Sequence, residues 1–130
     1  MNPNQFLKIG GAILAVVGVL GFMGLIGPTS DASIFGSAWW FDNAENWAHL
    51  VLGIVGVAAA YVLSANYQKM LVMVLGVVGV LIGLYSLVGY NMFLGANLEN
   101  PLDSLLHLAV GGWALWAWRK GGSMMSSSAT

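Results

Sequence analysis

The chain contains two histidines, and each follows an acid by four residues: Glu45–His49 in DNAENWAHLVLG (42–53) and Asp103–His107 in NPLDSLLHLAVG (100–111). A glycine follows each histidine by four more, at Gly53 and Gly111. On a helix, residues four apart share a face one turn above another. Glu45, His49 and Gly53 therefore form one column, and Asp103, His107 and Gly111 form a second.

Several chemistries suit such columns. A neutral imidazole can bond to its own helix's acid or to a carbonyl of a neighbouring helix and pin a bundle together. Two imidazoles and two carboxylates (His49, His107, Glu45, Asp103) would hold zinc, or iron with open positions. Paired histidines could ligate haem, with Gly53 and Gly111 clearing room for the macrocycle. A titrating histidine beside an acid also equips a proton or solute pathway. The leading expectation is no cofactor, because capping accounts for the acids. Asp42 and Glu45 have capping-box spacing. Asn100 and Asp103 repeat it, with Pro101 at the first helical position.

The elements that carry these columns are set by composition. The chain has 130 residues, 58% hydrophobic and 7% charged. A soluble domain carries roughly a quarter charged residues. Four apolar stretches reach the roughly 17–25 residues a membrane-crossing helix requires. The expected spans are about 6–26, 45–65, 69–93 and 101–118 in a single domain over 1–120, with 121–130 an unstructured cytoplasmic tail. Four crossings put the N-terminus, the turn after span two and the C-terminus on one side. All four basic residues (Lys8, Lys69, Arg119, Lys120) fall there, and all five acids (Asp31, Asp42, Glu45, Glu99, Asp103) fall on the other. The positive-inside bias then predicts an inner-membrane protein with both termini cytoplasmic.

Two internal echoes suggest duplication. VVGVL occurs at Val16–Leu20 and at Val77–Leu81, and HL-x-x-G at His49–Gly53 and His107–Gly111. The fold class read from this is all-α: a polytopic membrane four-helix bundle of two tandem helical hairpins, related by a parallel pseudo-twofold axis along the membrane normal. Gly18, Gly21, Gly24, Gly53, Gly79, Gly83 and Gly111 are the expected packing residues, since small side chains let lipid-embedded helices approach closely. Trp39 and Trp40 suit the outer headgroup region, and Trp113, Trp116 and Trp118 an inner belt.

No cysteine, phosphate loop, GxSxG elbow or HExxH occurs, so the motifs of hydrolytic and nucleotide-dependent enzymes have no support. A formal net charge of −1 gives nucleic acid no basic surface. The expected partners are the bilayer and a second copy or another membrane protein docking on the glycine-rich faces. The expected role is structural or accessory, without catalysis. The alternative is a protein that binds a ligand or metal, or conducts a small solute or protons, through the acid–histidine pairs.

NAENWAHLVLGIVGVAA, with its echo NPLDSLLHLAVGGWAL, resembles the pattern of a family of small prokaryotic four-span membrane proteins, described only as a domain of unknown function. The specific parts are the acid-x-x-x-HL-x-x-G segments, and Ser104 stands in the echo where Asn46 stands in the first copy. The resemblance covers about Phe6 to Trp118; it implies a fold and no activity.

Overall fold

The computed structural model describes residues 1–128, with side chains through Gly122. Four helices account for most of the chain: α1 (Pro3–Phe22), α2 (Asn43–Val62), α3 (Ala65–Leu87) and α4 (Leu102–Ser128). A two-residue ribbon, β1 (Met92–Phe93) antiparallel to β2 (Ala96–Asn97), precedes α4. α1, α2 and α3 are long and apolar enough to cross a membrane. α4 is longer, but Asp103, Ser104, His107 and Arg119 dilute its apolar stretch. It lies along α3 as closely as α2 lies along α1. α4 runs on past Lys120 over most of the segment expected to be an unstructured tail; residues 129–130 lie outside the described residues.

Two helices start on capping boxes. Asn2 caps α1 through a box with Gln5, the Gln5 N–H donating to Asn2 Oδ1 at 2.9 Å, with Pro3 entering at the first turn. Asp42 caps α2 in the same way: the Glu45 N–H donates to Asp42 Oδ1 at 2.9 Å, and the Asp42 N–H donates to Glu45 Oε2 at 3.2 Å. The box expected at α4 does not form. The Asn100 amide instead donates to the Ser86 carbonyl at 3.1 Å, in the last turn of α3. Asp103 Oδ2 accepts from the Glu99 N–H at 2.8 Å.

α1 and α3 stop short of the expected spans for one reason. α1 stops at Phe22 rather than near residue 26, and α3 at Leu87 rather than near residue 93. Gly24 (φ 83°) and Gly89 (φ 110°) turn left-handed just beyond the caps. The N–H of Leu25 then reaches the Leu20 carbonyl, and that of Tyr90 the Tyr85 carbonyl. These are Schellman closures, favoured by glycine because it lacks a Cβ. Gly24 is therefore a helix terminator, not the packing residue it was expected to be.

Glycines join each pair of helices backbone to backbone. A Cβ on Gly11 would lie 2.8 Å from the Gly53 carbonyl, and one on Gly53 would collide with the Ala15 nitrogen. In α3–α4, a Cβ on Gly76 would lie 2.8 Å from Leu115, and one on Gly111 would lie 2.7 Å from the Val80 nitrogen. Gly18 rests on Leu50 and the Asn46 carbonyl, and Gly83 on Leu108 and the Ser104 carbonyl. Gly21 leaves the space that the buried Asn46 side chain fills. Gly79 faces Gly111. These glycines thus pack against neighbouring helices of the same chain.

α1 joins the two pairs, packing on both α3 and α4. The apolar core gathers at the end that carries the N-terminus: Phe6, Leu7, Ala59, Ala60, Val72, Ala114 and Ala117. Gln68 clasps this end, its amide donating to the Leu63 carbonyl at 2.8 Å and the Ala60 carbonyl at 3.1 Å. Trp113 turns inward, edge-on to Phe6 with 4.7 Å between ring centroids, and its indole N–H points at Met1 Sδ. Of the expected inner belt, Trp116 is the one that is exposed.

Replacing Gly53 with alanine forces its Cβ into the α1 backbone. The expected cost is about 1–3 kcal/mol, the usual range for overpacking. Gly112→Ala, where a Cβ meets nothing within 4 Å, should leave stability unchanged. Thermal unfolding of the two variants in detergent checks the contrast.

Candidate functional site

The end of the bundle opposite the termini carries the polar residues. Helices α2 and α4 begin there, the 23–42 connection folds over them, and the β ribbon closes the side. Glu45, Asp103, Asn46 and Ser104 lie on the first turns of α2 and α4, and all four are buried. Glu99, just before α4, is buried with them. Acids at helix N-termini meet the positive end of the helix dipole, which offsets part of the desolvation cost.

Among the described residues, Glu45, Glu99 and Asp103 each bring a carboxylate oxygen into a group no more than 4.8 Å across. Asp103 is held from two directions: Oδ2 by the Glu99 N–H, and Oδ1 by the Trp39 indole N–H at 3.0 Å. Trp39 therefore orients a buried acid. The Asn97 side-chain amide donates to Glu99 Oε1, and the Asn97 backbone N–H donates to Asp42 Oδ2 at 2.7 Å. Glu45 Oε1 and Glu99 Oε2 are buried without a hydrogen-bond partner. Burial pushes the Glu99 carboxyl up to about 8, and the adjacent Asp103 carboxyl adds to the rise.

The histidines lie one turn further in. His49 and His107 line one chamber of about 160 Å³ between the helix pairs, with Leu14, Leu52, Val78 and Ile82 among its walls. Neither ring bonds to its own column's carboxylate. His107 Nδ1 lies 2.8 Å from the Asp103 backbone carbonyl, which makes it the donor and leaves Nε2 as an acceptor. His49 Nδ1 is buried without a partner, and its ring packs against Phe41 with 4.8 Å between centroids. The expected four-ligand set is thus split between levels. The two acids meet each other and are joined by Glu99, while the two imidazoles share the chamber below.

The haem alternative loses its geometric basis. Gly53 faces the α1 backbone and Gly111 faces α3, so neither clears space for a macrocycle. A chamber of about 160 Å³ is nearer the size that holds benzene than the roughly 300 Å³ at which sites for larger ligands begin.

Glu99 was not legible as a site residue, because it sits in a connection without helical periodicity; Asn97, expected from the sequence near the same outer mouth as Asn46 and Asn91 with a cap or loop role favoured, bonds to it. The one local signal was Leu94-Gly95, the turn of the ribbon, where both residues have positive φ (51° and 83°). Such a two-residue turn folds the chain back sharply, and here it returns Asn97 and Glu99 to the acids.

In EDTA, Glu99 should give stability a specific pH dependence. Its folded value is about 8 against an ordinary 4.5. Between these values the folded chain keeps a proton that the unfolded chain releases, so stability falls as pH rises through the interval. Glu99→Gln should flatten that decline, read as the thermal midpoint in detergent across the same range. Comparison with protein-family models, with curated proteins and with solved structures finds no match, so the role of this end of the bundle rests on its own geometry.

Proposed function

We propose that the chain is an integral inner-membrane protein built from two tandem copies of one helical hairpin, with both termini cytoplasmic, and that it serves a structural or accessory role rather than a catalytic one. The observation that carries the membrane assignment is the distribution of surface. Ile13, Val16, Ile54, Val55, Val77, Leu81 and Leu105 are exposed along the four helices, an apolar girdle that a water-soluble monomer rarely presents. The basic residues sit at the end bearing the termini and the acids at the other, as the positive-inside bias requires. Because α4 lies along α3, it crosses wherever α3 crosses.

Duplication is supported by contacts that keep a constant offset. Gly11, Gly18, Gly21 and Gly24 of the first pair correspond to Gly76, Gly83, Ser86 and Gly89 of the second, each 65 residues on. Asn46, His49 and Gly53 correspond to Ser104, His107 and Gly111, each 58 residues on. The VVGVL match implies an offset of 61 and is displaced from the contacts by four residues, about one helical turn. A one-turn slip keeps the same face, which is why the short match was a misleading guide to register. The resemblance to the four-span family of unknown function rests on the same acid-and-histidine segments.

A second reading is favoured by the chamber. Two imidazoles on apolar walls between the hairpins suit a small, largely apolar ligand with one polar group, or a solute that passes the acid–histidine level.

The chain has no cysteine, so single cysteines report topology directly. Ser37→Cys, in the 23–42 connection, should react with a membrane-impermeant maleimide in intact cells. Ser64→Cys, in the α2–α3 turn, should react only after permeabilisation; labelling of both in intact cells, or the reverse order, sinks the assignment. For the histidines, His49→Leu with His107→Leu should lower the thermal midpoint in detergent if the rings serve only to tie the hairpins together. An unchanged midpoint with loss of small-molecule binding or flux favours the second reading.

A further inference from the structure

Among the described residues, three acids, each at least nine-tenths removed from solvent, stand together without a basic side chain beside them. Relative exposure is 3% for Glu45, 9% for Glu99 and 1% for Asp103. Lys8 sits over the Tyr61 ring near the start of α1, Lys69 lies beside Gly122, and Arg119 and Lys120 follow the apolar part of α4. All four belong to the opposite end of the bundle. Buried carboxylates are very costly unless they are neutralised, paired or bound to a metal.

Two of the carboxylates also have an oxygen that nothing satisfies. Glu45 Oε2 is taken by the Asp42 N–H and Glu99 Oε1 by Asn97, which leaves Glu45 Oε1 and Glu99 Oε2 buried and open. Buried acceptors are nearly always bonded, so each exception calls for a cause such as an ion. Asp103 is braced by Trp39 and by the Glu99 N–H, an arrangement that fixes a carboxylate as outer-shell bonds fix metal ligands.

We propose that Glu45, Glu99 and Asp103 form a binding site for one divalent cation of the calcium type at the acidic end of the bundle. The donors are all oxygen, which selects hard cations over zinc or copper. Three protein carboxylates suit calcium, which takes roughly six to eight oxygen ligands in flexible geometry, better than magnesium, which keeps several waters and is held by about one or two carboxylates. One oxygen from each acid lies within 4.8 Å of the others, close enough to share one ion. One divalent charge cancels most of the triad's negative charge. It also ties the first turn of α2 to the start of α4, joining the hairpins at the end where Gln68 does not. The histidines, one turn away, are not ligands here. The site stands on these contacts alone and holds whether or not the protein has an accessory role in the membrane.

The test uses the full chain in detergent, stripped with EDTA and titrated with calcium chloride by calorimetry. The expected result is saturable binding to one site, with a thermal midpoint that rises with calcium concentration. Glu99→Gln keeps the side chain's size and should weaken binding about tenfold or more, a loss near 1.4 kcal/mol. Asp31→Asn, an exposed acid in the 23–42 connection, should bind as the unaltered chain does. Terbium gives a reading that needs no carboxylate variant, because Trp39 donates to Asp103 and can sensitise a bound lanthanide. Emission should appear on indole excitation, fall on addition of calcium, and be reduced in Trp39→Phe while calcium binding persists. Absence of calcium heat and of a thermal shift, affinity unchanged in Glu99→Gln, or magnesium binding as tightly as calcium overturns the proposal.

Discussion

The rest of the structure depends on the contact of backbone with backbone at Gly11–Gly53 and Gly76–Gly111. In lipid, no hydrophobic drive pulls helices together, so association depends on close van der Waals packing and on the small residues that allow it. Once two backbones touch at a glycine, sliding one helix by a residue brings a side chain into that contact. The glycines therefore fix register as well as distance. Register decides which residues of α2 and α4 reach a given level, and so brings Glu45 to Asp103 and His49 to His107.

The acidic end shows what that register costs and what it allows. Three carboxylates at helix starts draw on the helix dipoles, on the Asp42 and Glu99 backbone N–H groups, and on the Trp39 indole. None of these supplies a full positive charge. Glu99 responds by holding its proton to about pH 8, which removes one charge in the absence of a cation.

Much of this was legible in the sequence because its causes are local. Periodicity and apolar length gave the helices, the Asp42–Glu45 spacing gave the start of α2, and the four-residue steps placed each histidine a turn below its acid. What was missed depends on contacts between distant residues or on single backbone angles. Gly24 and Gly89 end helices inside apolar runs, and only their left-handed φ distinguishes them from the packing glycines beside them. Asn100 has the type and spacing of a cap for its own helix, yet it caps α3, because the chain turns there against Ser86. Glu99 and Asn97 carry no periodic signal at all. Their place among the acids is set by the ribbon turn at Leu94–Gly95, which helical periodicity does not reveal.

The contrast between the two hairpins also constrains how each can change. At one level, the first pair sets Asn46 against Gly21 and the second sets Ser104 against Ser86. A large side chain faces none, and a small one faces a small one, so the space is filled both ways. Their polar balance differs. Ser86 and Ser104 share a hydrogen bond at 2.7 Å, whereas the Asn46 amide is buried with neither its oxygen nor its nitrogen paired. An unpaired buried polar group costs on the order of 1–3 kcal/mol. Changing Asn46 to serine alone would open a void beside Gly21. Changing Gly21 to serine alone would drive a side chain into the amide. The second hairpin's arrangement can enter the first only by both changes together, which couples the two positions across the helix interface and should appear as non-additivity in a double-mutant cycle.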